Sequence, residues 1–168
     1  MMGKVTEGRL EFDFTAAAQV ERLDLPGTPL PHGMALVDFV VEEGRRTLLI
    51  EIKDPEGTPA PYRAEALREF VKKMEGDGLI HQEIVPKARD SYTFLHLMAR
   101  DRPGLILVCV LGVGTPDPAL LGSFKNRLLR RLSKETAVPW VRQYVKDCVV
   151  LTPDMWASVF PDYPLKVA

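Results

Sequence analysis

The sequence predicts an α/β (α+β) fold, a mixed sheet flanked by helices. Strand-like segments crowd the first third of the chain, and the second half alternates helix and strand signals. GLILVCVLG (104 to 112) is continuously apolar with β-branched members, the mark of a central strand covered on both faces. The 168 residues suit one domain, and no repeat, low-complexity stretch or long linker divides them, so residues 1 to 168 are read as a single unit.

Each element has its own signal. LEFDF (10 to 14), AAQVERLDL (17 to 25), MALVDFVV (34 to 41) and TLLIEIK (47 to 53) are short, rich in β-formers and separated by turn residues, and each is predicted to be a strand. In PYRAEALREFVKKMEG, Leu67, Phe70, Val71 and Met74 recur at helical spacing, and Gly76 stands where a left-handed cap closes a helix. A second helix is expected from a cap at Asp90 or Ser91 through Met98, ended by Arg102-Pro103-Gly104. After the central strand, Asp117 caps a helix with Pro118 at its first position, and Leu121, Phe124, Leu128 and Leu132 face inward. DCVVL (147 to 151) is a last strand, and Thr152 with Pro153 opens a last helix.

Composition narrows the function classes. With 46% hydrophobic and 27% charged residues and a net charge of −1, the chain is built to fold rather than to remain disordered. No apolar run reaches the roughly 18 residues of a spanning helix. MMGKVTEGRLEF lacks an apolar segment with a cleavage site, so a cytoplasmic protein away from membranes is expected. Cys109 and Cys148 are too few for a disulfide framework or a thiolate zinc site and read as small core residues. The charge is uneven. Residues 1 to 60 carry 6 Lys/Arg against 11 Asp/Glu, a net of −5, whereas residues 122 to 147 carry 7 against 2, a net of +5. General nucleic-acid adhesion would need a chain basic throughout. This pattern suits metal plus phosphate, or equally a contact between opposite charges within or between subunits.

The most informative stretch is LVDFVVEEGRRTLLIEIKDP. A two-residue turn at Gly44-Arg45 makes paired positions sum to 89, which opposes Glu43 to Arg46 and Asp38 to Glu51. The Asp38 and Glu51 β-carbons would then lie about 4.5 to 5.5 Å apart on one sheet face, with Lys53 on the same face. Two carboxylates inside apolar strands repel and lose hydration unless a cation or a shared proton lies between them. Hard oxygen ligands with room for water and phosphate oxygens suit Mg²⁺ or Mn²⁺ better than zinc. The same residues also read as the polar outer face of a hairpin in which Glu51 pairs with Lys53 or a neighbour.

Asp38 followed by Glu51-Ile52-Lys53 in the next strand resembles the motif of the PD-(D/E)XK nuclease superfamily. The order of elements over most of residues 15 to 134 is similar to its αβββαβ core, and VDF…EIKDP looks like its small stand-alone prokaryotic members. The resemblance implies a restriction endonuclease-like fold and metal-dependent phosphodiester hydrolysis. Asp38 and Glu51 would hold Mg²⁺ or Mn²⁺, the Ile52 carbonyl would add a ligand, and Lys53 would position or help deprotonate the attacking water and offset charge at the phosphate. The proline that names the motif is Val37 here. The helix-borne Glu that many members carry before the hairpin has no counterpart in a strand-like front end, which leaves Glu21 and Asp24 as candidates for an auxiliary acid, Asp24 preferred. The Gln-x-x-x-Tyr motif of the helicase-linked branch is absent from the helix after Lys53.

Arg127, Arg130 and Lys134, with Arg131 beside them, project away from the apolar stripe of their helix and are candidates for phosphate contact, or a solvated face. Gly112-Val113-Gly114 lacks the third glycine of a dinucleotide loop, since Asp117 stands there. His32, His81 and His96 have no ligand spacing, and Ser91, Ser123 and Ser133 sit in no nucleophile motif. Trp140, Trp156 and Phe160 read as packing residues or as cover for a subunit contact. The expectation is therefore a metal-dependent nuclease acting on DNA rather than RNA, working as a homodimer or with a partner protein because one such site cuts one strand. A non-catalytic subunit with the same fold in a larger assembly is the alternative.

Overall fold

The computed structural model describes residues 3–102 and 104–168, so Pro103, expected to help end the second helix, lies outside the described residues. β3 (Gln19–Arg22), β4 (Phe39–Glu42) and β5 (Thr47–Lys53) are antiparallel neighbours, and β6 (Leu105–Leu111) and β7 (Asp147–Leu151) extend the sheet in parallel, in the order β3-β4-β5-β6-β7. Parallel neighbours need crossovers, and helices supply them. Between β5 and β6 run α1 (Ala60–Glu75), a π-helix (Leu79–Ile84) and α2 (Val85–Leu97), and between β6 and β7 runs α3 (Pro118–Ser133).

Strand alternation sorts the side chains into two cores. Leu49 of β5, Cys109 of β6 and Cys148 of β7 pack with Met74, Ile84, Ala88 and Phe124 of the helices. The intervening residues, among them Ile50, Val108 and Leu151, pack on the other face with Phe12, Phe14, Trp156 and Phe160. That face is covered by α4 (Pro153–Val159) and a small antiparallel sheet, β1 (Lys4–Glu7), β2 (Leu10–Asp13) and β8 (Leu165–Val167). The Phe12 and Trp156 rings meet edge to face at 4.9 Å. The molecule is thus a mixed α/β fold in three layers, and β6 is apolar throughout because both its faces are covered. Both cysteines are buried and free, and burial pushes the Cys148 thiol up to about 11 and the Cys109 thiol well up too, as befits core residues.

Several elements depart from the sequence expectation. The second helical segment begins at Leu79, not at a cap of Asp90 or Ser91, which lie inside α2. Pro86 has no amide to give to the preceding turn, and the helix accommodates it with a wider turn in which the Val85 amide reaches back to the Ile80 carbonyl. Gly76 is extended (φ −85°) and not left-handed, its amide bonding the Lys72 carbonyl. Strands 17 to 25 and 34 to 41 contract to Gln19–Arg22 and Phe39–Glu42. Val71 and Trp140 are exposed rather than packed. Asp117 caps α3 as expected, accepting from the Ala119 amide at 2.9 Å, whereas Thr152 opens α4 with no side-chain bond. Among the described residues no helix is long and apolar enough to cross a membrane.

Candidate functional site

The hairpin carries the register that its turn dictates. Gly44 adopts φ +69° at the first turn position, the Glu43 amide donates to the Arg46 carbonyl at 2.9 Å, and Phe39 opposes Ile50. Asp38, one residue before β4, therefore stands opposite Glu51 on the face that carries Val40 and Leu49 toward the helices. Asp38 is 4% exposed and Glu51 1%. The ladder opens at this point. The Ile52 amide donates to Asp38 Oδ2 at 2.6 Å, and the Val37 amide, which the register places opposite Ile52, donates instead to Ser91 Oγ of α2 at 2.9 Å. The Ile52 carbonyl thereby loses the ladder partner that Val37 would have been.

Helix residues complete the cluster. Lys87 of α2 places its ammonium 2.7 and 3.0 Å from the two Glu51 carboxylate oxygens and 3.6 Å from Asp38 Oδ1. Lys53 lies 3.0 Å from Glu51 Oε1 and 2.8 Å from Glu83 Oε2 of the π-helix, and Lys73 of α1 holds the other Glu83 oxygen at 3.1 Å. Three carboxylates thus face three ammonium groups. Neither Lys87 nor Glu83 was singled out in the sequence. Their spacing of four is the one signal that could have found them, and it had meaning only once residues 79 to 97 were known to be one helical run.

Burial, with the charge of Glu51 adding to it, pushes the Asp38 carboxyl up to about 7, although Lys87 and the Ile52 amide pull the other way. For Lys53, burial works against the ammonium, but Glu51 and Glu83 outweigh it and the balance is upward. Lys53 is therefore firmly cationic. That favours holding a phosphate over taking a proton from water. Beside the cluster opens a hollow of about 350 Å³ lined by Lys53, Asp54, Phe70, Lys73 and Glu83. A larger one, about 950 Å³ and mainly apolar, lies beyond the ends of β6 and β7 between α3 and α4, but none of the cluster's charged groups lines it. Volume and chemistry point to different places here, and the charged cluster is the better candidate because reactive groups converge there.

The remaining expected residues divide. Asp24, expected as an auxiliary acid, accepts from Arg22 at 2.8 Å, and among the described residues no group of three His, Cys, Asp or Glu side chains is placed to hold a metal ion by side chains alone. Glu21 pairs with Arg100. Arg127 is committed to the end of α1, donating to the Gly76 carbonyl at 2.9 Å and to Asp77 at 2.7 Å. Arg130, Arg131 and Lys134 make no ion pair among the described residues and line a hollow with His81. Asp38, Glu51, Lys53 and the Ile52 backbone are thus brought together; Asp24, though bound by Arg22, is near enough for its charge to act on the Asp38 carboxyl, and Arg130, Arg131 and Lys134 line a separate hollow. No family model, no curated protein and no solved structure matches this chain.

Proposed function

We propose that the protein is a metal-dependent nuclease hydrolysing phosphodiester bonds, with DNA ahead of RNA as substrate and the restriction endonuclease-like arrangement as its scaffold. The observation that carries the reading is the buried pair of facing carboxylates, Asp38 and Glu51, at a break in the ladder beside the Ile52 carbonyl. Two carboxylates and a carbonyl fit Mg²⁺ or Mn²⁺, which keep several waters and take further oxygens from a phosphate. Asp38, Glu51 and Ile52 would hold the ion, and when bound it would supply Lewis acidity at the phosphate and a more acidic water. Lys53, cationic and at the mouth of the adjoining hollow, neutralises charge building on the phosphoryl oxygens. Glu83 holds Lys53 and Lys73 toward that hollow. One site per chain serves one strand, so duplex cleavage calls for a second copy or a partner protein.

Cleavage of labelled single-stranded and duplex DNA and RNA with Mg²⁺ or Mn²⁺ tests the proposal. Metal-dependent cutting is expected from the wild type and a loss of at least about 100-fold in Lys53→Ala, the range for removing one electrostatic stabiliser.

A second reading has its own support. The Lys87 ammonium occupies the space between Glu51 and Asp38, and the cluster balances its charge without a metal. A chain that kept this arrangement permanently would be a non-catalytic subunit. It would show no gain in melting temperature with Mg²⁺ or Mn²⁺, whereas a metal site must gain by linkage.

A further inference from the structure

The C-terminal end of α3 and the π-helix border a shallow, open hollow of about 290 Å³ lined by Asp77, His81, Arg127, Arg130, Arg131 and Lys134. Its charges do not cancel. Asp77 is taken by Arg127 at 2.7 Å, and Glu135, the next acid along the chain, is bound by Arg89. Three cations, Arg130, Arg131 and Lys134, remain without an ion pair among the described residues. Basic residues at a helix end often serve its last carbonyls, but here the Arg130, Arg131 and Ser133 carbonyls are already bonded. The Lys134 amide reaches the Arg130 and Arg131 carbonyls, and Ser133 Oγ donates to Arg130.

We propose that this hollow binds a phosphate monoester at the end of a nucleic-acid strand. The charge count selects the ligand class. An internal phosphodiester carries one negative charge, whereas a phosphate monoester carries about −1.5 to −2 near neutral pH and offers three strong acceptor oxygens. Three uncompensated cations, two of them guanidinium forks, match the second better than the first. The fold also connects the two places. The π-helix sends Glu83 to Lys53 on one side and contributes His81 to the hollow on the other, so a strand end held at Arg130 and Arg131 leaves the rest of the strand to run toward the carboxylate cluster. The choice of a nucleic-acid end rests on the nuclease reading, and the phosphate chemistry stands without it.

The experiment is fluorescence anisotropy on the wild-type protein in EDTA, where no cleavage occurs, with short single-stranded DNA bearing a 5′-phosphate, a 3′-phosphate or only hydroxyl ends. Inorganic phosphate serves as competitor. At least tenfold tighter binding is expected for one phosphorylated end over the hydroxyl-ended strand, with displacement by phosphate, and the two phosphorylated strands show which end is held. The preference should vanish in Arg130→Gln/Arg131→Gln and weaken in Lys134→Gln, whose exposed side chain leaves folding untouched. Equal affinity for all three strands with no displacement by phosphate, or a preference that survives both variants, overturns the proposal. Displacement by phosphate without any preference among the strands overturns the nucleic-acid end. Since no divalent cation is present, failure here is separate from failure of the nuclease reading, which the metal-dependent melting shift reports.

Discussion

At the scale of single residues the site is a problem in charge, and Lys87 is its internal solution. Its ammonium bridges the two Glu51 oxygens and leans on Asp38, so a divalent cation must displace it. Lys87→Met is expected to bind Mn²⁺ about tenfold more tightly than the wild type in calorimetry while its metal-free form melts lower, because two buried carboxylates lose their counter-charge. Unchanged affinity in the variant would show that Lys87 and the ion do not compete. Asp38 gives a second handle. Its carboxyl, pushed up to about 7 chiefly by burial against an ordinary value of 3.8, keeps a proton in the native state between those values that the unfolded chain releases. The native state then binds more protons than the unfolded one, so the contribution of this group to stability falls as pH rises from about 4 to 7. Urea midpoints at pH 5 and pH 8 should show that decline in the wild type and a shallower one in Asp38→Asn. The facing of Asp38 and Glu51 was legible because a two-residue turn fixes every cross-strand pair, whereas Lys87 was not, since its approach depends on how a distant helix docks.

At the scale of elements, α2 is fastened to the open end of β4 by Ser91 and Asp90, residue types that equally suit helix caps. Ser91 accepts the Val37 amide at 2.9 Å and Asp90 accepts the Ala35 amide at 3.0 Å. Capping and docking use the same chemistry, a side-chain oxygen accepting a backbone N–H, so residue type alone could not separate them. Ser91 is fully buried. Ser91→Ala leaves the Val37 amide buried without an acceptor and should cost about 1–3 kcal/mol, a fall of several degrees in melting temperature. A loss under about 0.5 kcal/mol in urea denaturation would mean that the amide finds water or another acceptor. The π-helix was hidden for a related reason. Proline disfavours the helical conformation in the residue before it, yet the chain accommodates Pro86 with a wider turn instead of a break. The helix of 118 to 133 was plain by contrast, because Phe124, Leu128 and Leu132 are buried by one continuous surface and its cap is local.

At the scale of the whole molecule, the acidic front and basic back of the sequence have separate fates. Front-half acids are largely paired within the fold, Glu7 and Asp24 with Arg22, Glu21 and Glu42 with Arg100, and Asp54 and Glu56 with Arg9. In the basic stretch Arg127 pairs with Asp77, but Arg130, Arg131 and Lys134 make no ion pair among the described residues, which is why composition could suggest phosphate without placing it. The Arg9 pairs also tie the layers together. Arg9 precedes β2 of the small sheet and reaches Asp54, the residue after Lys53, with both its backbone amide at 3.1 Å and its guanidinium at 2.8 Å. Gly112, at the end of β6, is glycine because Asp54 fills its side-chain space, an added Cβ falling 2.2 Å from Asp54 Oδ1 and 2.9 Å from its Cα. Asp54 is thus a wedge among β2, β5 and β6, with a side chain only 5% exposed. Arg9→Met strands that carboxylate and Gly112→Ala displaces it, and each should cost about 1–3 kcal/mol, moderated for Arg9 by the water that reaches its partly exposed guanidinium. Because both act through Asp54, the double variant should lose less than the sum of the single losses, by at least about 0.5 kcal/mol in a urea double-mutant cycle. Strict additivity would mean that the two layers are held to Lys53 by independent contacts and that Asp54 is not their common point.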